Sequence, residues 1–214
     1  MTTSTPSPTW ALRLHDAFEW ISWVLTVNAL WYLFTILGGV VLGAAPASAV
    51  ASELTRRRLR GEAFPVLHEF SRSWRRHFRD ANVALLPGFG ASALLLVGVL
   101  GMAQAGSLGS AFGVIAVGAL SVATAVTTVA VTMYAHYDLP RGAYLFTAMR
   151  WTVRNLPHIA MLALVGVAIV GAGFVLPGII PFLSLGAWIT ASTAMCIAFY
   201  VSNDKRVALE QSAR

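Results

Sequence analysis

The 214-residue sequence has one cysteine and one lysine, and only 11% of its residues are charged. The single cysteine, Cys196, excludes an internal disulfide and a cysteine-rich zinc site. Soluble domains carry about 25% charged residues, so roughly half of the usual charge is missing. Its absence leaves three uncharged runs, Trp20–Ser52, Ala81–Tyr137 and Asn155–Asn203. Each exceeds the ~20 residues that take a helix across about 30 Å of hydrocarbon. With 57% hydrophobic residues and a mean hydropathy of +0.70, the composition is that of an all-α, polytopic membrane helix bundle.

Reactive constellations are lacking too. There is no G-x-S-x-G, no H-E-x-x-H and no close carboxylate pair. The five histidines (His15, His68, His77, His136 and His158) form no i, i+4 pair and have no cysteine near them in the sequence. His136 beside Asp138 offers only a local hydrogen bond. The glycines of LGGVVLG (37–43) follow no strand, so they make no nucleotide loop. No ionisable side chain sits in the middle of an apolar run, which argues against a proton relay. The expectation is a protein without enzymatic activity, cofactor or metal.

Positive charge is what remains, with a net charge of +6 and a pI near 10.2. Eight of the fifteen Lys and Arg residues fall between Arg56 and Arg79. They flank apolar runs, so topology and anionic lipid explain them better than nucleic acid does.

Breakers divide the chain into five spans. Residues 1–19 form a polar start with a short interfacial helix, Trp10–Glu19, and 204–214 form a polar tail. Between them, 20–203 make one transmembrane domain with spans near 20–42, 83–103, 111–133, 157–175 and 182–200. QAGSLGS (104–110) and VLPGIIP (175–181) supply the turns within the two longest runs, and Pro46 marks a kink or a helix restart. DLPRGAYLFTAMRWTVRN (138–155) reads as a second interfacial helix. With the basic segment 53–80 in the cytoplasm, the positive-inside rule gives N-out, C-in. If Gly38–Ser52 turns back before crossing, the N-terminus moves inside.

The stretch FSRSWRRHFRDAN (70–82) is amphipathic at helical spacing. Leu67, Phe70, Trp74, Phe78 and Ala81 share an arc of about 80°, and Arg72, Arg75, Arg76 and Arg79 lie opposite. Such a helix can bury aromatics among acyl chains and offer arginines to lipid phosphates. Ordinary packing on a protein core is the competing reading. Within the spans, Asn28 suits an interhelical hydrogen bond better than a ligand contact. The threonines 124, 127, 128 and 132 suit bonds to their own backbone. Gly39 and Gly43 have the G-x-x-x-G spacing of a close helix contact.

NALWYLF (28–34), GAAPA (43–47), RLRGE (58–62), FSRSWRRHF (70–78) and HYDLPRGAYLFTAMRWTVRNL (136–156) occur in that order. This arrangement resembles the YesL family of bacterial membrane proteins over nearly the whole chain. The resemblance implies a sugar-uptake context, beside carbohydrate ABC importers, and supplies no catalytic residues. The resulting expectation is an accessory or assembly protein of the bacterial cytoplasmic membrane that acts by binding. Phe70, Arg72, Trp74, Arg75, Arg76, Phe78 and Arg79 would form a surface for anionic lipid or an ABC sugar permease. Gly43, Pro46 and Ala47 would set the bend that places it. The alternative is a homo-oligomeric transporter or channel for a neutral solute, lined by Asn28, the threonines of the third span and the broken helix at Pro46.

Overall fold

The computed structural model of the chain describes residues 9–176 and 179–212. These form seven α-helices and no strand: α1 (Thr9–Leu37), α2 (Val41–Leu59), α3 (Val66–Gln104), α4 (Ala111–Tyr134), α5 (Ala143–Arg154), α6 (Leu156–Val175) and α7 (Ile179–Ser212). Five segments are long and apolar enough to cross a membrane: Arg13–Leu37, Val66–Gln104, Ala111–Tyr134, Leu156–Val175 and Pro181–Asp204. The expected all-helical architecture with five such spans is what the chain adopts. Large apolar side chains such as Leu94, Phe112, Leu164 and Phe174 face outward, where lipid rather than water suits them.

The expected turn at 104–110 is present. Gly106 takes a positive φ of 66° after α3, and the Ser110 hydroxyl caps α4 by accepting from the Gly113 N–H at 3.1 Å. The segment read as a second interfacial helix contains α5. That helix buries Tyr144, Ala148 and Thr152 and exposes Phe146, Met149 and Val153. Residues 177 and 178 of the last predicted turn lie outside the described residues.

Three features differ from the sequence reading. Trp10–Glu19 is no separate helix: α1 is continuous from Thr9 and ends at Leu37, five residues before the predicted end of the first span. The chain breaks at Gly38–Val40, not at Pro46. Gly39 has φ +76°, and Val40, at φ 64° and ψ −66°, closes a three-residue turn in which the Val41 N–H donates to the Gly39 carbonyl at 2.8 Å. Finally, the amphipathic stretch 70–82 and the second span form a single 39-residue helix, α3, through Pro87.

After the break α2 runs back along α1. Trp31 Nε1 donates to Ser48 Oγ at 2.8 Å, and Arg58 on the last turn of α2 reaches Glu19 near the start of α1 at 3.4 Å. A Cβ on Gly43 would collide with the Thr35 backbone, so glycine permits this approach. Two residues before Arg58, Arg56 meets His136, which pairs with Asp204 on α7. Glu19 and Asp204 therefore lie at one end of the bundle. That is the placement expected where Gly38–Ser52 turns back before crossing.

The returning helix is the centre of the molecule. Its run of Ala45, Pro46, Ala47, Ser48, Ala49, Val50, Ala51 and Ser52 is buried without interruption. One side joins Trp23, Val27, Phe34 and Phe70 in a core between α1 and α3; the other joins Leu85, Val129, Met133 and Tyr200 in a second core. Small side chains let four helices approach α2 this closely, as at interfaces between membrane helices. Gly43, Pro46 and Ala47 are thus buried packing positions within α2.

Candidate functional site

The first half of α3 orients the basic aromatic stretch. Phe70 is fully buried, with its ring centroid 4.9 Å from Phe34, and Trp74 lies 5.4 Å from Phe34 and 4.8 Å from Phe78. Phe70 and Trp74 therefore pack on α1, within the protein, while Phe78 packs on Trp74 of its own helix. Arg72, Arg75, Arg76 and Arg79 are exposed on the other side. The structure keeps the two predicted faces, but only the arginine face is open.

Asn28 is spoken for. Its Nδ2 donates to the Pro181 carbonyl at 2.9 Å and its Oδ1 accepts from the Gly186 N–H at 3.0 Å, joining α1 to α7. Thr124, Thr127, Thr128 and Thr132 line a cavity of about 160 Å³, together with Ser48 and Ser52 of α2. Thr127 Oγ1 donates to the Ala123 carbonyl and Thr132 Oγ1 to the Val129 carbonyl, the local bonds expected of them.

Beyond Phe70 the charged end is a network of ion pairs. Arg57 Nε donates to Glu62 and its Nη1 to Glu69, both at 2.8 Å; Arg60 reaches Glu62 at 2.7 Å. These bonds staple the loop after Gly61 to α2 and α3. They hold the Arg57 guanidinium above its ordinary value, Glu69 contributing most, and they hold the Glu62 carboxyl below its ordinary value. Arg58 stacks over Trp23 at 5.0 Å, and Arg141 pairs with Asp80 at 2.9 Å. Tyr137 donates to Asp204 at 3.0 Å; burial, reinforced by that bond, raises its phenol.

Within this end, α2, α3 and α4 enclose a half-open cleft of about 250 Å³ whose polar lining is Glu53, Arg56, Arg76, His77 and Tyr134. It adjoins a wider recess of about 580 Å³ that shares His77 and Tyr134. Arg56 Nη1 lies 3.5 Å from His136 Nδ1, and its Nε is buried with no hydrogen-bond partner. Burial, then the charge of Arg60, lowers the Arg56 guanidinium from its ordinary value. The Ser73 hydroxyl donates to Glu53 at 3.5 Å, and His77 Nδ1 lies 3.2 Å from the Tyr134 hydroxyl.

The sequence reading missed this cleft. A signal was available: Ala45, Ala49, Glu53 and Arg56 recur on one helical face of α2, so an apolar stripe turns ionic while still facing the bundle. His136 pairs with Asp204, not with the neighbouring Asp138. His158 also gains an unforeseen neighbour, Cys196 Sγ at 3.6 Å across α6 and α7. Cys196 is completely buried, so this contact is packing and offers no accessible nucleophile.

Residues 24–99 match the family model described as "Protein of unknown function, DUF624". A Bacillus subtilis (strain 168) protein described as "Uncharacterized protein YesV" is 31% identical over 177 residues, covering 78% of this chain and 80% of that one. The chain belongs to this family. The matched segment contains the last part of α1, all of α2 and most of α3, which together frame the core around Phe34 and Phe70. The DUF624 description stands in place of the YesL name that the motifs suggest. No solved structure matches the chain.

Proposed function

We propose that this multi-pass membrane protein is a non-enzymatic accessory or assembly factor of the bacterial cytoplasmic membrane. It docks through the arginine face of α3 onto anionic lipid and onto a partner's cytoplasmic surface. The observation that carries this reading is the division of α3. Its aromatic side is held against α1, while Arg72, Arg75 and Arg79 stand exposed and make no ion pair among the described residues. Guanidinium groups in such a row match phosphate and carboxylate groups well. Placing the basic end in the cytoplasm follows the positive-inside rule and brings the start of α1 and the end of α7 inside together. The sugar-uptake context implied by the motifs makes a carbohydrate ABC permease the partner to look for.

The test is gentle-detergent recovery of the tagged protein from its native membrane, with partners identified by mass spectrometry. The reading expects a stoichiometric ABC permease that is lost when Arg72, Arg75 and Arg79 are changed to Gln. Recovery of the protein alone, unaffected by those changes, removes it.

The cavity lined by Ser48, Ser52 and the α4 threonines favours a second reading, passage of a small neutral solute through a homo-oligomer. Solute flux into liposomes holding the purified protein supports it, and sealed liposomes count against it.

A further inference from the structure

We propose that the cleft between α2, α3 and α4 binds a phosphate group with hydroxyls beside it, using Arg56 and Arg76 as the anion ligands and Glu53 as acceptor for the hydroxyls. The first argument is an unsatisfied donor. On α2 and the turn that follows it, Arg57, Arg58 and Arg60 each have a carboxylate within ion-pair distance. Arg56 has none among the described residues, and its Nε–H is buried at the cleft without an acceptor. Buried donors of this kind are ordinarily paired, and the guanidinium that carries this one belongs to a residue lining the cleft.

Arg76 supplies the second guanidinium from α3. Its Nε donates to His77 Nε2 at 3.3 Å, which fixes the group at the cleft. A phosphate between two guanidinium forks accepts charge-assisted, bidentate hydrogen bonds, which a spherical anion cannot match.

Glu53 narrows the choice. Its carboxylate lines the same cleft and would oppose a bare polyanion, but it accepts from a hydroxyl; the Tyr134 hydroxyl offers a further polar contact. The volume of about 250 Å³ equals the space of roughly eight liquid waters, enough for a phosphate and a three-carbon polyol. This chemistry has two natural sources, a phosphatidylglycerol headgroup or a free glycerol phosphate. The cleft lies at the charged end of the bundle, the level of the headgroups once the apolar helices span the bilayer.

The full chain, delipidated in neutral detergent, is titrated with glycerol 3-phosphate while thermal unfolding is followed. In parallel, phosphatidylglycerol or phosphatidylcholine is added and retention is read by native mass spectrometry. A response to glycerol 3-phosphate assigns a free ligand; selective retention of phosphatidylglycerol assigns the lipid. In either case Arg56→Gln and Arg76→Gln each weaken binding by about tenfold or more, and the triple change of Arg72, Arg75 and Arg79 to Gln does not. That triple variant separates the cleft from the docking face of the proposed function. Exposed Arg76 keeps the test decisive if Arg56→Gln misfolds. No binding of either probe, or Arg76→Gln binding like the native chain, overturns the assignment.

Discussion

The side-chain amide of Asn82 on α3 donates to the Leu42 carbonyl of α2 at 2.9 Å, the acceptor that Pro46, four residues on, leaves without a helical partner. A proline inside α2 is thereby accommodated from a neighbouring helix, and the same Nδ2 also reaches the Phe78 carbonyl at 2.7 Å. Asn82→Ala is expected to cost about 1 kcal/mol in the native chain. In a Pro46→Ala background, where the helix supplies its own N–H, the cost shrinks. Equal costs in both backgrounds, measured by a double-mutant cycle on unfolding in detergent, would refute the coupling.

Val40 occupies a positive-φ turn that a β-branched residue rarely adopts, and its side chain is exposed. Such strain is worth about 1–3 kcal/mol, and glycine returns part of it as unfolded-chain entropy. Val40→Gly should therefore raise stability by about 1 kcal/mol in thermal unfolding. A destabilised variant means that the turn is not strained.

Phe70 and Leu67 sit on the same predicted stripe, yet Phe70 is fully buried and Leu67 is 60% exposed. Truncating Phe70 to Ala should cost about 3 kcal/mol or more, as for buried aromatics, while Leu67→Ala should be nearly neutral. Similar costs at both positions would return the stripe to a lipid-facing role.

The fold-back of α2 places both described ends of the chain at one end of the bundle. Reporters fused to the two termini should accordingly report the same side of the membrane. Opposite-sided reporters contradict the α1–α2 hairpin.

Arg57 holds the Glu62 carboxyl below its ordinary value by a hydrogen bond. A depressed carboxyl contributes stability that is present above its unfolded-state value and lost as pH falls through the lower, folded-state value. Hydrogen exchange of the 60–65 loop should therefore show protection that falls on acidification below the ordinary carboxylate range. Glu62→Gln should remove most of that pH dependence. An unchanged acid response in this variant would assign it to another group.

The sequence alone determined the class of molecule. Continuously apolar runs this long cross hydrocarbon as helices, which satisfy every backbone N–H and C=O within the segment, whereas barrel strands are shorter and alternate in polarity. The turn at 104–110, a helix within 138–155 and the amphipathic character of 67–81 follow from local periodicity and breakers, and all are present. Tertiary structure decided what local signals leave open. Pro46 is the stronger breaker on paper, but Asn82 satisfies the carbonyl it orphans, so the chain turns at Gly39 and Val40 instead. Periodicity divides α3 into two faces equally well for lipid or for protein; only the position of Phe34 shows that the aromatic face is internal. Arg56 looked like one more member of a basic run. The arrival of α3 and α4 on its face of α2 leaves it half-buried beside a cleft, with its Nε–H unpaired, because such contacts depend on residues 20 to 80 positions apart in the chain, as between Glu53 and Ser73 or Arg56 and His136.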